Sequence, residues 1–187
     1  MLLACSWRTC FAVWLNMVLL FSVFPGVVSD CTYLASLGPH VPFFAGRGWT
    51  LTLFLAFAIF DLAGRHLAGM PRFGFTVFDE AARADKMGHA WAVWLLRLTL
   101  ARVLWLPVFL LAAAGWRPPG GDLLVFANMV GFAVSNGHAT TLCMTLGPQL
   151  APSHLRGPNA ILHLCFLIGG LWGGSVLALG LQALVGR

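Results

Sequence analysis

The chain has 187 residues, 59% of them hydrophobic and 9% charged, with a formal net charge of +5. Soluble domains carry about 25% charged residues, so this composition excludes an ordinary soluble fold and predicts an all-α integral membrane protein that has the lipid bilayer as its partner. The basic residues are scattered through loops and spans and form no stripe, which excludes a nucleic-acid partner and leaves membrane orientation as the use of the excess.

A spanning helix needs about 20 mainly apolar residues. Five segments qualify, at about 10–29, 49–68, 91–113, 123–146 and 160–184. The linkers between them are too short to fold alone, so the expectation is a single transmembrane helical domain. The first segment follows Arg8 and contains Pro25, which suits a kinked spanning helix. Its alternative reading is a signal peptide cleaved after Val27-Val28-Ser29. The apolar run is long for a signal, and a span is expected.

The second segment holds Asp61 and Arg65 inside the apolar stretch that begins at Leu51. A four-residue step puts both side chains on one helix face. Asp61 lies about 18 Å into the helix at 1.5 Å per residue, near mid-membrane. A charge at that depth costs roughly 2.5–3.5 kcal/mol on insertion scales. Two readings stand: a structural ion pair that locks helices, and a polar substrate site on a solute pathway.

In the third segment Arg102 lies about 16 Å from the start. Its expected state is a long side chain snorkelling toward the cytoplasmic interface; the alternative is a partner for a polar group on a neighbouring helix. Arg97, nearer the end, is expected to snorkel as well. Pro107 should kink this helix. The fourth segment carries Asn128, Ser135, Asn136, His138, Thr140 and Thr141. Asn128, Ser135 and Asn136 fall roughly on one side, as glue between helices or the wall of a cavity. Gly137 permits a bend or a close backbone approach. The fifth segment contains Gly169, Gly170, Gly173 and Gly174, small-residue pairs at four-residue spacing that suit close helix packing.

Cys5, Cys10, Cys31, Cys143 and Cys165 form neither a metal-ligand spacing nor a paired framework. No two histidines have the four-residue helical spacing of a metal site; a facing pair of His138 and His163 is the remaining option. There is no nucleophile elbow, phosphate loop or paired catalytic carboxylate. The expectation is therefore no metal, no cofactor and no enzyme. Arg8, Arg72, Arg83, Lys86 and Arg156 fall on one side of the five spans, against Arg47, Arg117 and Arg187 on the other. The excess predicts a cytoplasmic N-terminus and an external C-terminus.

Several segments together resemble one family. Ile59-Phe60-Asp61-Leu62-Ala63-Gly64-Arg65 resembles the eighth helix of equilibrative nucleoside transporters. Leu100-Ala101-Arg102-Val103-Leu104-Trp105-Leu106-Pro107 resembles their ninth, and Ser135-Asn136-Gly137-His138-Ala139-Thr140-Thr141-Leu142-Cys143-Met144, followed by Gly147-Pro148, their tenth. Phe24-Pro25 is similar to the seventh, and the glycine-rich fifth segment to the eleventh. The resemblance implies a fold like the C-terminal bundle of a major-facilitator-like transporter, with alternating access. It implies that Asp61 and Arg65 are polar contacts for a nucleoside or nucleobase, with Arg102, Ser135 and Asn136 bracing the cavity. Family members have eleven helices and this chain matches the last five. The implied macromolecular partner is a missing N-terminal bundle or a second copy of the chain. His138 stands where the family commonly has Tyr. The functional expectation is facilitative nucleoside transport, or the C-terminal part of it; the alternative is a non-transporting protein that packs against a full-length transporter or itself.

Overall fold

In a computed structural model, the described residues are 2–31, 47–70, 85–116 and 119–185, with side chains omitted at 2–5, 85–89 and 185. Arg72, Asp79, Glu80, Arg83, Arg117 and Arg187, as well as His40, lie outside that set. The described chain is helical. Helix α1 (Leu2–Val23) stops before Pro25, whose missing N–H and fixed ring oppose continuation, and the chain turns into the short α2 (Gly26–Ser29). Helix α3 (Arg47–Ala68) follows. The third span is broken: α4 (Asp85–Ala101) tightens into a 3-10 turn at Arg102–Trp105, and α5 (Leu106–Ala113) resumes with Pro107 in its first turn. Proline is tolerated there because the N–H it lacks would have no helical partner. Helices α6 (Gly121–Gln149) and α7 (Arg156–Val185) complete the order.

Among the described residues, four stretches are long and apolar enough to cross a membrane: Ser6–Ser29, Arg47–Ala68, Ala90–Ala113 and Ser153–Leu184. Helix α6, at 29 residues, has ample length. It falls outside that group because polar side chains run along it. The protein is an all-α integral membrane protein of about five long helices. Its outer surface carries Leu55, Ile59 and Leu62 on α3, and Ile168, Trp172, Val176 and Leu179 on α7, all exposed. Such residues belong against lipid.

Two helix pairs dominate the packing, α1 with α7 and α3 with α6. Both depend on glycine. On α7, Gly170 lies on the Trp14 carbonyl of α1, and a methyl group at Gly174 would stand 2.7 Å from the Val18 carbonyl. Gly169 and Gly173 flank this line, and a methyl group at either would meet the Trp14 or Val18 side chain at ordinary contact distances. Between α3 and α6 the contact is reciprocal: Gly64 faces the Val134 carbonyl, and Gly137 faces the Asp61 carbonyl. Small residues let backbones meet where lipid gives apolar side chains no reason to leave it.

The core is layered. One apolar cluster gathers Met17, Leu20, Leu53, Phe109, Met129 and Phe132; a second gathers Val13, Ala68, Leu95, Leu142, Cys143 and Leu146. Between them in the register of each helix lie buried polar residues: Asn16 on α1, Asp61 on α3, Thr99 on α4, Arg102 on the 3-10 turn, and Asn136 and Thr140 on α6. A separate polar cluster joins α1, α6 and α7 beyond the second apolar layer. Ser6 Oγ donates to Asn159 Oδ1 at 2.7 Å, and Asn159 Nδ2 donates to the Gly147 carbonyl at 2.7 Å. The His163 ring bonds Thr9 Oγ1 and the Asn159 carbonyl, each at 2.8 Å.

The α1–α7 contact yields a prediction. Gly170→Leu and Gly174→Leu should each lower the thermal unfolding midpoint in detergent, by the overpacking cost of about 1–3 kcal/mol. Gly180→Leu, where an added Cβ would meet nothing within 4 Å, should not lower the midpoint.

Candidate functional site

Asp61 is buried on the α6 side of α3, one helical turn before the Gly64 contact. Its Oδ2 accepts from Arg65 Nε at 2.8 Å, and its Oδ1 accepts from Asn136 Nδ2 at 2.7 Å. The ion pair is asymmetric: the Arg65 side chain is 48% exposed and that of Asp61 13%. Arg65 spends its Nε–H on Asp61. A guanidinium has five N–H donors in a rigid fork, so the pair presents outward-facing donors beside a fixed carboxylate. This is chemistry suited to a hydroxylated or heterocyclic ligand.

Arg102 corrects the snorkelling expectation. It is 1% exposed and points into the bundle. Its Nε donates to Ser135 Oγ at 3.1 Å, its Nη2 to the Phe132 carbonyl at 3.3 Å, and its Nη1 to Asn16 Oδ1. The guanidinium carbon lies 4.8 Å over the Phe132 ring centre. The break before Pro107 turns this residue inward at the first position of the 3-10 turn. Arg97, on regular helix, is exposed as expected for a snorkelling side chain.

The polar residues of α6 do not serve one face. Asn128 Nδ2 donates to the Trp105 carbonyl at 3.1 Å, in the broken stretch of the third span. Ser135, seven residues on and so nearly eclipsed with it, meets Arg102 of the same stretch. Asn136 is rotated by about 100° from Ser135 and meets Asp61 of α3 and Asn16 of α1. The single-sided reading is thus replaced by two sides with different neighbours.

Sequence reasoning missed Asn16. It is fully buried, and its Nδ2 donates to Asn136 Oδ1 at 3.0 Å and to Thr140 Oγ1 at 2.7 Å. The signal was available, since Asn16 is a lone amide in Phe11-Ala-Val-Trp-Leu-Asn16-Met-Val-Leu-Leu-Phe21, the same kind of interruption that marks Asp61. His138 is half-buried on α6, whereas His163 is held by Thr9 and Asn159 between α1 and α7. No cluster of three metal-ligating residues occurs among the described residues.

A family model described as nucleoside transporter matches residues 1–183. The human equilibrative nucleoside transporter 2 is 30% identical over 186 residues, which is 96% of this chain and 36% of that protein. The human equilibrative nucleoside transporter 1 is 32% identical over 143 residues, 72% of this chain and 28% of that protein. The mouse equilibrative nucleoside transporter 1 is 28% identical over 174 residues, 87% of this chain and 34% of that protein. The chain therefore spans about a third of the length of these relatives. No solved structure matches.

Arg102 is the most densely bonded group of the site. Arg102→Lys should lower the thermal midpoint in detergent by the loss of about 1.5–3 kcal/mol, because one ammonium cannot reproduce the planar fork that reaches Asn16, Ser135 and Phe132 together. Arg97→Lys should leave it unchanged.

Proposed function

Because this chain belongs to the nucleoside transporter family, we propose that it forms the C-terminal wall of a facilitative pathway for nucleosides or nucleobases. In this reading the five spans form one helical bundle. It rocks against a second bundle, either an N-terminal one or another copy of the chain, in alternating access. The N-terminus faces the cytoplasm and the C-terminus the outside.

The observation that carries the reading is the asymmetric pair on α3. Asp61 is held in the protein interior while Arg65, in the last turn of α3, keeps an exposed guanidinium. Charges inside spans face a cavity or another protein surface, because lipid solvates them poorly. The terminal nitrogens of Arg65 donate to carbonyl, ring-nitrogen or hydroxyl acceptors of the ligand. The remaining lone pairs of Asp61 accept from its hydroxyls. Arg102, Ser135 and Asn136 hold the wall behind the pair. The binding step needs no covalent chemistry and no cofactor.

A second reading is a non-transporting protein that packs against a full-length transporter or itself. Uptake separates the two. Labelled adenosine and uridine should enter transporter-deficient cells that express the chain. Asp61→Ala and Arg65→Ala should each reduce uptake by about tenfold or more, the equivalent of one charge-assisted hydrogen bond, with membrane insertion intact. No uptake by a chain confirmed in the membrane would exclude a pathway built from copies of this chain alone.

A further inference from the structure

Between the two arginines runs an unbroken line of side-chain hydrogen bonds. Arg102 Nη1 donates to Asn16 Oδ1; Asn16 Nδ2 donates to Asn136 Oδ1 at 3.0 Å; Asn136 Nδ2 donates to Asp61 Oδ1 at 2.7 Å; and Arg65 Nε donates to Asp61 Oδ2 at 2.8 Å. The second N–H of Asn16 is taken by Thr140 Oγ1 at 2.7 Å. Asn16, Asn136, Thr140 and Arg102 are all buried. Water is therefore a poor substitute for any missing partner.

An amide can point either way, and nothing local to Asn16 or Asn136 decides which. The ends of the line decide. A guanidinium has only donors, and an ionised carboxylate only acceptors. Arg102 turns Asn16 Oδ1 toward itself and so sends Nδ2 to Asn136. The acceptor-only Asp61 demands the Nδ2 of Asn136 and so sends Oδ1 back to Asn16. The two demands meet without conflict, and each donor in the line finds an acceptor. Reversing one amide alone would set oxygen against oxygen or N–H against N–H.

We propose that Asn16 is a positioning residue for the Asp61–Arg65 site, carrying the donor polarity of Arg102 through Asn136 to the Asp61 carboxylate. Asn16 acts on Asp61 through Asn136, from another helix. It fixes the plane of the carboxylate and hence the directions in which its remaining lone pairs meet a ligand. The consequence for the ligand rests on the transport reading above; the relay itself is tested without any ligand.

The test is a double-mutant cycle read by thermal unfolding of the full chain in detergent. N16D puts an acceptor where Asn136 expects a donor. Asn136 then lies between two carboxylates, its own oxygen meets one of them whichever way it turns, and the midpoint should fall by about 5 °C or more. D61N in the wild-type background should also lower it, because one amide cannot offer an oxygen to both Asn136 and Arg65 in the present geometry. In N16D/D61N the line runs in reverse polarity with every partner satisfied. Asp at position 16 accepts from Arg102, from Asn136 and from the rotatable Thr140 hydroxyl. The flipped Asn136 oxygen accepts from Asn at position 61, whose own oxygen accepts from Arg65. D61N should therefore raise the midpoint of N16D while lowering that of wild type. This reversal of sign is what a merely space-filling Asn16 cannot produce.

An N16D chain that fails to fold, alongside a double variant that folds, gives the same answer. Additive losses, a double variant no more stable than N16D, or N16D at the wild-type midpoint would overturn the relay. Uptake is scored separately. A reversal of sign in a chain whose wild type takes up no nucleoside would keep the relay and discard transport by copies of this chain alone.

Discussion

The approach of α3 to α6 is the constraint on which the site depends. Gly64 and Gly137 sit across from each other's helix, each against a carbonyl that no Cβ could share. That double omission brings the helix backbones together and carries the short Asp61 side chain into reach of Asn136. A methyl group on either glycine would drive the helices apart, and an aspartate side chain is too short to follow. The carboxylate would then sit at bilayer depth without its amide. Close packing and polar satisfaction are the same event here.

The layered core explains how such a belt is tolerated. Apolar clusters above and below exclude lipid tails from the polar residues and hold the helices in register. Within the belt, the groups supplied by α1, α3, α6 and the 3-10 turn complete one another's hydrogen bonds. A buried network of this kind stabilises when complete and destabilises when one member is missing. The belt is thus poorly suited to gradual substitution, and the exposed guanidinium of Arg65 is its opening to the outside.

Local geometry was legible in the chain, while partnership was not. The four-residue step of Asp61 and Arg65 fixed that the pair shares a helix face, and the ion pair uses it. Pro107 announced a break, and the glycines of the fifth span announced close packing. The destination of Arg102 was misjudged because burial of a long cation depends on whether neighbouring helices offer enough acceptors, which periodicity within one helix does not encode. The same reason hid Asn16 and split the expected single face of α6: each amide's partner follows from how far its helix is rotated toward its neighbours. Family resemblance reached the right lineage through short ordered motifs, yet it too was silent on which side chains touch.

Helix α6 also bears on how the protein is made. Among the described residues it is the long helix that falls short of the apolarity of a membrane span, and it carries its polar residues toward three different neighbours. A segment like this gains little by entering lipid alone, since the amides and hydroxyls of its middle would be stranded there. Those neighbours, α1, α3 and the broken third span, all precede it in the chain and are already available when it emerges from the ribosome. Its insertion is then an act of assembly, with α3 and α1 serving as the solvent that the bilayer does not provide.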